Sequence, residues 1–243
     1  MAEIDILRNE LIEELWLPMA KEAGDKFYRR RKNKQMKLFT LTDGVNFKEI
    51  SRLKEEKLIR GGDAILWVSN MIKAVRAETE AMGIVFNGSI CEEAILNTSC
   101  QINPLFPYDI LNLDFSSQDI YVSDCRIERE LEKTEHFISL QNQRHNKGFV
   151  LLQTTVIDSE TINRNNVKDA SNAMQLNGWG GLVLDTFPAI VLNNAQKSDL
   201  IQRVLKSLCQ KYKYNIIKIT IMSKDIDTQQ QLHSLAVIIE RQI

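Results

Sequence analysis

Hydrophobic positions along the chain recur with two different periods, and the change from one to the other marks the elements. In residues 3–30, Ile4, Leu7, Leu11, Leu15 and Met19 return every three or four positions, the spacing of one helix face. A short apolar run, MKLFTLTD, then predicts a strand that stops at Asp43–Gly44. Residues 46–59 carry Phe47, Ile50, Leu53 and Leu58 on one helical side, with Asn46 as a capping candidate and Gly61–Gly62 as the stop. AILWVS and IVFNGS predict two more strands, separated by the helical stretch MIKAVRAETEAM and closed by Gly83. A short helix, CEEAILNTS, precedes a fourth strand, YDILNLDF. A charged helix over 124–143 precedes a fifth, FVLLQTTVI, after Gly148.

Strands that alternate with helices of ten or more residues mean βαβ units and a parallel sheet. The strands read as continuous apolar runs because helices cover both faces. The end of the chain departs from this alternation. A helix over 189–212 leads into NIIKITIMS and HSLAVIIERQ, with only KDIDTQQQ between them. That link is too short for a crossover helix, so the two segments are expected to form an antiparallel hairpin. The predicted fold is α/β: a Rossmann-like, seven-stranded, mostly parallel sheet with a C-terminal antiparallel hairpin, preceded by an N-terminal helix. Two parts follow, a helical segment over 1–35 and an α/β domain over 36–243.

Composition changes this picture little. Lys+Arg is 31 and Asp+Glu is 32 among 243 residues, so net charge gives no sign of a nucleic-acid protein. Charge is uneven locally: in KFYRRRKNKQMK the cations are Lys26, Arg29, Arg30, Arg31, Lys32, Lys34 and Lys37. With Phe27 and Tyr28 between them, Arg29, Arg30, Arg31 and Lys32 suit phosphate contacts combined with base stacking, and they equally suit a solvated helix end. A nucleic acid or a protein is the partner to consider. Cys91, Cys100, Cys125 and Cys209 form no CxxC pair and lie at no metal spacing, so they are expected to be reduced thiols with no metal. The opening residues are acidic and amphipathic rather than basic and then apolar, and no apolar run reaches membrane length. The expectation is a cytoplasmic protein with no membrane association. No P-loop and no GxSxG elbow is present, and NGWGG at 177–181 reads as a surface turn.

Five strand–helix units, a further helix and a terminal hairpin resemble the outline of class I S-adenosylmethionine-dependent methyltransferases, over roughly residues 36–243. That resemblance implies a cofactor over the carboxyl ends of the first three strands. Asp43 and Gly44 match the acidic turn after the first strand, and Asn70 stands where the family usually has the ribose-binding acid. Ser89 follows the third strand. In the fourth, YDILNLDFSSQD, Asp114 takes the place that faces the substrate, and Asn112 lies two residues earlier on the same face. From the residues alone, Asp114 either serves such a site or caps a turn with Ser116 and Ser117. The implied activity is methyl transfer from S-adenosylmethionine, with Asp114 as the catalytic candidate and Asp43, Gly44, Asn70, Ser89 and Asn112 at the cofactor. The alternative is a methyltransferase-like binding module without catalysis, in a nucleic-acid-acting complex.

Overall fold

The structure is a computed structural model, and it describes residues 2–28, 35–42, 47–60, 62–68, 83–87, 107–116, 126–143, 147–158, 194–227 and 230–242. Its helices are α1 (Ala2–Leu11), α2 (Leu17–Tyr28), α3 (Lys48–Glu55), α4 (Arg126–Gln143) and α5 (Asn194–Lys211). A π-helical turn, Ile12–Trp16, joins α1 to α2 with helical dihedrals on both sides. The strands are β1 (Leu38–Thr42), β2 (Ala64–Val68), β3 (Ile84–Asn87), β4 (Ile110–Asp114), β5 (Gly148–Asp158), β6 (Tyr214–Asp225) and β7 (Gln230–Arg241). They form one sheet in the order β3-β2-β1-β4-β5-β7-β6.

Neighbours from β3 to β5 pair in parallel. β7 is antiparallel to both β5 and β6. β6 therefore runs with the first five strands, and β7 alone opposes them. The expected antiparallel pair forms, and only its second strand lies against the sheet direction. The reason is order: β7 inserts between β5 and β6, so the hairpin's first strand becomes the edge.

Side-chain alternation along the strands feeds two cores. Phe39, Leu41, Leu111, Leu113, Phe149, Leu151, Leu235 and Val237 meet α4 and α5 on one face. Phe39 stacks at a tilt on Phe137 of α4, with ring centroids 4.7 Å apart. Leu38, Leu66, Ile110, Val150, Leu152, Ala236 and Ile238 face the other way and meet α2, the π turn and α3. The boundary after residue 35 thus divides the sequence and not the packing. Leu15, Trp16, Met19, Ala20 and Ala23 are buried against the sheet itself. Gly148 permits this close approach, because a Cβ there would lie 2.4 Å from the Phe27 ring of α2.

Two predicted boundaries are corrected. The N-cap position of α3 belongs to Phe47, with no side-chain capping bond, and Asn46 lies outside the described residues. Phe47 is buried in the core, so packing rather than capping sets where the helix begins. The helix also ends before Gly61–Gly62: Lys57 adopts φ 59°, and Leu58 N–H donates back to Leu53 O. On β6 a bulge leaves Ile217 without a partner between Ile216 and Lys218. The extra residue switches the alternation, so Ile216 before it and Ile219 and Ile221 after it all pack on the same core.

Candidate functional site

In the sheet the chain goes to β2 after β1 and to β5 after β4, although β1 and β4 are adjacent. The strand order reverses between these two, which makes their carboxyl ends the switch point where open α/β sheets bind ligands. The last residues of β1, β2 and β3 are register neighbours: Thr42 pairs with Val68, and Val68 with Asn87. Asp43, Gly44, Asn70 and Ser89 follow these ends within two residues in sequence and lie outside the described residues. Arg29, Arg30, Arg31 and Lys32 also lie outside them.

Asp114 and Asn112 are described, and both project from β4 toward α1, the π turn and α3. They occupy different depths. Asn112 is 2% exposed in the middle of the strand. Its Nδ2 donates to Thr40 Oγ1 at 2.9 Å, while Oδ1 has no protein partner. Beside it is a small cavity lined by Ile12, Trp16, Glu49 and Leu152 among others, at about 10 Å³ the size that admits one water. Asn112 is thus roofed by the N-terminal helical run and sits inside the protein, two residues short of the strand end.

Asp114 sits at that end and is 8% exposed. Its Oδ1 accepts the Ser116 backbone N–H at 2.9 Å and also the Ser116 hydroxyl. This is the turn-capping geometry of an Asx residue two positions before its donor. The other oxygen, Oδ2, lies 3.3 Å from Arg8 Nε. Arg8, itself 8% exposed on α1, also donates from Nη2 to Ser116 Oγ at 2.7 Å. The carboxylate is therefore paired and hydrogen-bonded, as a buried charge must be. Beside Asp114 in register is Thr154 of β5. Its hydroxyl is 2.8 Å from Ser234 Oγ, which accepts the Trp16 indole N–H at 3.0 Å.

A second polar group occupies the opposite face of the same strand ends. Thr155 donates to Glu130 Oε1 at 2.8 Å, and Thr134 donates to the Glu130 carbonyl at 2.8 Å with Gln153 Oε1 3.2 Å from the same hydroxyl. His233, across from Thr155, holds Ser223 Oγ 2.8 Å from its Nδ1 and has no protein partner at Nε2. Burial pushes the His233 imidazole down to about 4, so it is neutral at physiological pH. Inspection of the sequence missed this group. The signal was the polar triplet Gln153–Thr154–Thr155 inside the otherwise apolar fifth strand.

Five parallel strands, a switch point between the first and fourth, and one antiparallel strand inserted before the edge decide the architecture. The fold is class I methyltransferase-like. No protein-family model matches the chain, and no curated protein matches it in sequence. Among solved structures it is similar to M. jannaschii TYW2 in complex with AdoMet, with 10% identity, 93% of this chain and 75% of that one covered, and a TM-score of 0.48. It is similar to magnesium protoporphyrin IX methyltransferase (ChlM) from Synechocystis PCC 6803 with bound SAH, at 12% identity, 96% and 84% coverage and a TM-score of 0.45. A third similarity is to the plantazolicin methyltransferase BpumL, at 8% identity, 98% and 90% coverage and a TM-score of 0.45. Among the described residues, no helix is long and apolar enough to cross a membrane. No three His, Cys, Asp or Glu side chains converge there as metal ligands.

Proposed function

We propose that this chain is an S-adenosylmethionine-dependent methyltransferase, with the cofactor over the ends of β1, β2 and β3 and the methyl acceptor at the end of β4. The observation that carries the reading is the acidic Asp114 at the β1/β4 switch point, beside three strand ends in register. The residues that follow those ends suit the cofactor's chemistry. Asp43 supplies an anion for the positively charged amino-acid end, Gly44 lets backbone approach closely, and Asn70 and Ser89 supply hydrogen bonds to the adenosine. When bound, the cofactor supplies an activated methyl group on a sulfonium. The protein's own contribution is position: methyl transfer is accelerated mainly by holding the acceptor in line. Asp114 orients that acceptor. Ser116, in the same turn, holds its Oδ1 through backbone N–H and hydroxyl, so the carboxylate is fixed in direction, which suits orientation.

Calorimetric titration with S-adenosylmethionine and its demethylated product tests the reading. Micromolar binding that Asp43→Ala abolishes supports it. Asn70→Asp is expected to tighten binding roughly ten- to a hundred-fold, because a carboxylate accepts both ribose hydroxyls and a charged hydrogen bond adds about 1.5–3 kcal/mol. No binding at millimolar ligand would leave a binding module built on this fold.

A further inference from the structure

The continuous helical run over residues 2–28 is docked by two different kinds of force, and the division falls at the π turn. In α2, Leu17, Met19, Ala20 and Ala23 are buried at 3% exposure or less, packed on the strands. In α1 from Ile4 to Glu10, the buried side chain is a charged one, Arg8. Leu7 is only partly buried, and Ile6 is 58% exposed. Apart from the partial packing of Leu7 on the core, what fastens this stretch is polar: Arg8 to Asp114 and Ser116, and Glu10 Oε2 to Lys224 Nζ of β6 at 2.9 Å. Polar contacts exchange for water at small net cost, whereas apolar burial does not. A π turn inserts one residue into the helical ladder and is where such a run changes its hydrogen-bonding register.

We propose that Ala2–Glu10 is a lid over the end of β4, pivoting at the π turn, with the Arg8–Asp114–Ser116 cluster as its latch. Closed, it covers Asp114 and Ser116, which are 8% and 4% exposed. Open, it leaves α2 in place and presents an unpaired carboxylate and a hydroxyl at the switch point. Uncovered, Asp114 exchanges Arg8 for water, and a group that enters there in place of that water is a hydrogen-bond donor. A neutral amine, which donates N–H to Asp114 and keeps its lone pair for the methyl group, is therefore the acceptor class this end selects, with the extra proton of the methylated product leaving to water. This last step rests on the methyl-transfer reading, whereas the lid does not.

Hydrogen–deuterium exchange on the full chain tests the lid without any ligand. Amides of residues 6–10 are expected to exchange at least ten-fold faster than those of residues 20–27. Arg8→Gln should raise exchange in 6–10 by a further ten- to a hundred-fold, the worth of charged hydrogen bonds, and leave 20–27 unchanged. Ser116→Ala, which removes one hydroxyl and no charge, should raise the same segment by less. Equal protection along 6–27, or variants that shift both segments together, overturns the lid. Titrating the same preparations with S-adenosylmethionine separates the two ideas: absent binding counts against methyl transfer and leaves the exchange result standing.

Discussion

Truncating Trp16 tests whether the N-terminal helical run is part of the core. The side chain is 4% exposed, and its indole N–H reaches Ser234 on β7. Burying an indole removes about 200 Å² from water, worth about 5 kcal/mol at 25 cal/mol per Å². The hydrogen bond adds about 1 kcal/mol. Residual compactness of the unfolded chain lowers such sums by roughly 10–40%. Trp16→Ala should therefore cost about 4 kcal/mol, which at roughly 2–4 °C per kcal/mol is a fall of about 8–16 °C in Tm. Trp16→Phe keeps most of the packing, and Ser234 keeps Thr154 as a partner, so about 1–2 kcal/mol is expected. The assay is urea unfolding followed by fluorescence. Once Trp16 is gone, the remaining tryptophans, Trp67 and Trp179, both report on residues beyond 35. A Trp16→Ala midpoint within about 0.5 kcal/mol of the parent by that signal would refute the reasoning.

Gly148→Ala places a methyl 2.4 Å from Phe27 Cζ and 2.7 Å from the Ile239 carbonyl oxygen; about 1–3 kcal/mol should be lost in thermal denaturation, with Phe27→Leu restoring only part because the second clash is with backbone. His233 has a folded-state pKa below its ordinary value, so the unfolded chain takes up a proton first as pH falls. Its contribution is complete above about pH 6.5 and declines by about 1.4 kcal/mol per pH unit toward pH 4. His233→Gln should remove that slope in denaturation curves taken from pH 7 to pH 4, and parallel curves for the two proteins would refute the assignment. Replacing Arg29, Arg30 and Arg31 together with Ala should weaken nucleic-acid binding and flatten its salt dependence by roughly one log–log unit for each phosphate no longer neutralised; a parent protein that binds no nucleic acid at low salt removes that partner.

Much of the sheet was legible because strand and helix periods are local. MKLFTLTD and YDILNLDF each contain a strand of the structure, at Leu38–Thr42 and Ile110–Asp114, and FVLLQTTVI falls inside a third that runs one residue further at each end, Gly148–Asp158. What stayed hidden depends on partners far apart in sequence. Arg8 and Ser116 are separated by 108 positions, and no local pattern signals that one covers the other. The residues around Asp114 suit a site and a turn cap equally, and the structure gives it the capping bonds together with a position at the switch point. Trp16 is not among the periodic positions that mark the first helix, and its partner lies on β7, 218 positions away. The direction of β6 was equally out of reach, since a short loop dictates that two strands oppose each other but not which of them joins the sheet first.

The bulge at Ile217 bears on how the molecule behaves among its own copies. β6 ends the described sheet, and a long, straight terminal strand is a template for adding another chain. The unpaired residue bends that rim, and Lys218 and Lys224 place charge along it. Deleting Ile217 would leave the inward positions in phase, so the fold should persist while its border becomes regular. The consequence to expect is a loss of colloidal stability with the monomer's thermal stability kept, visible as concentration-dependent light scattering well below the melting temperature.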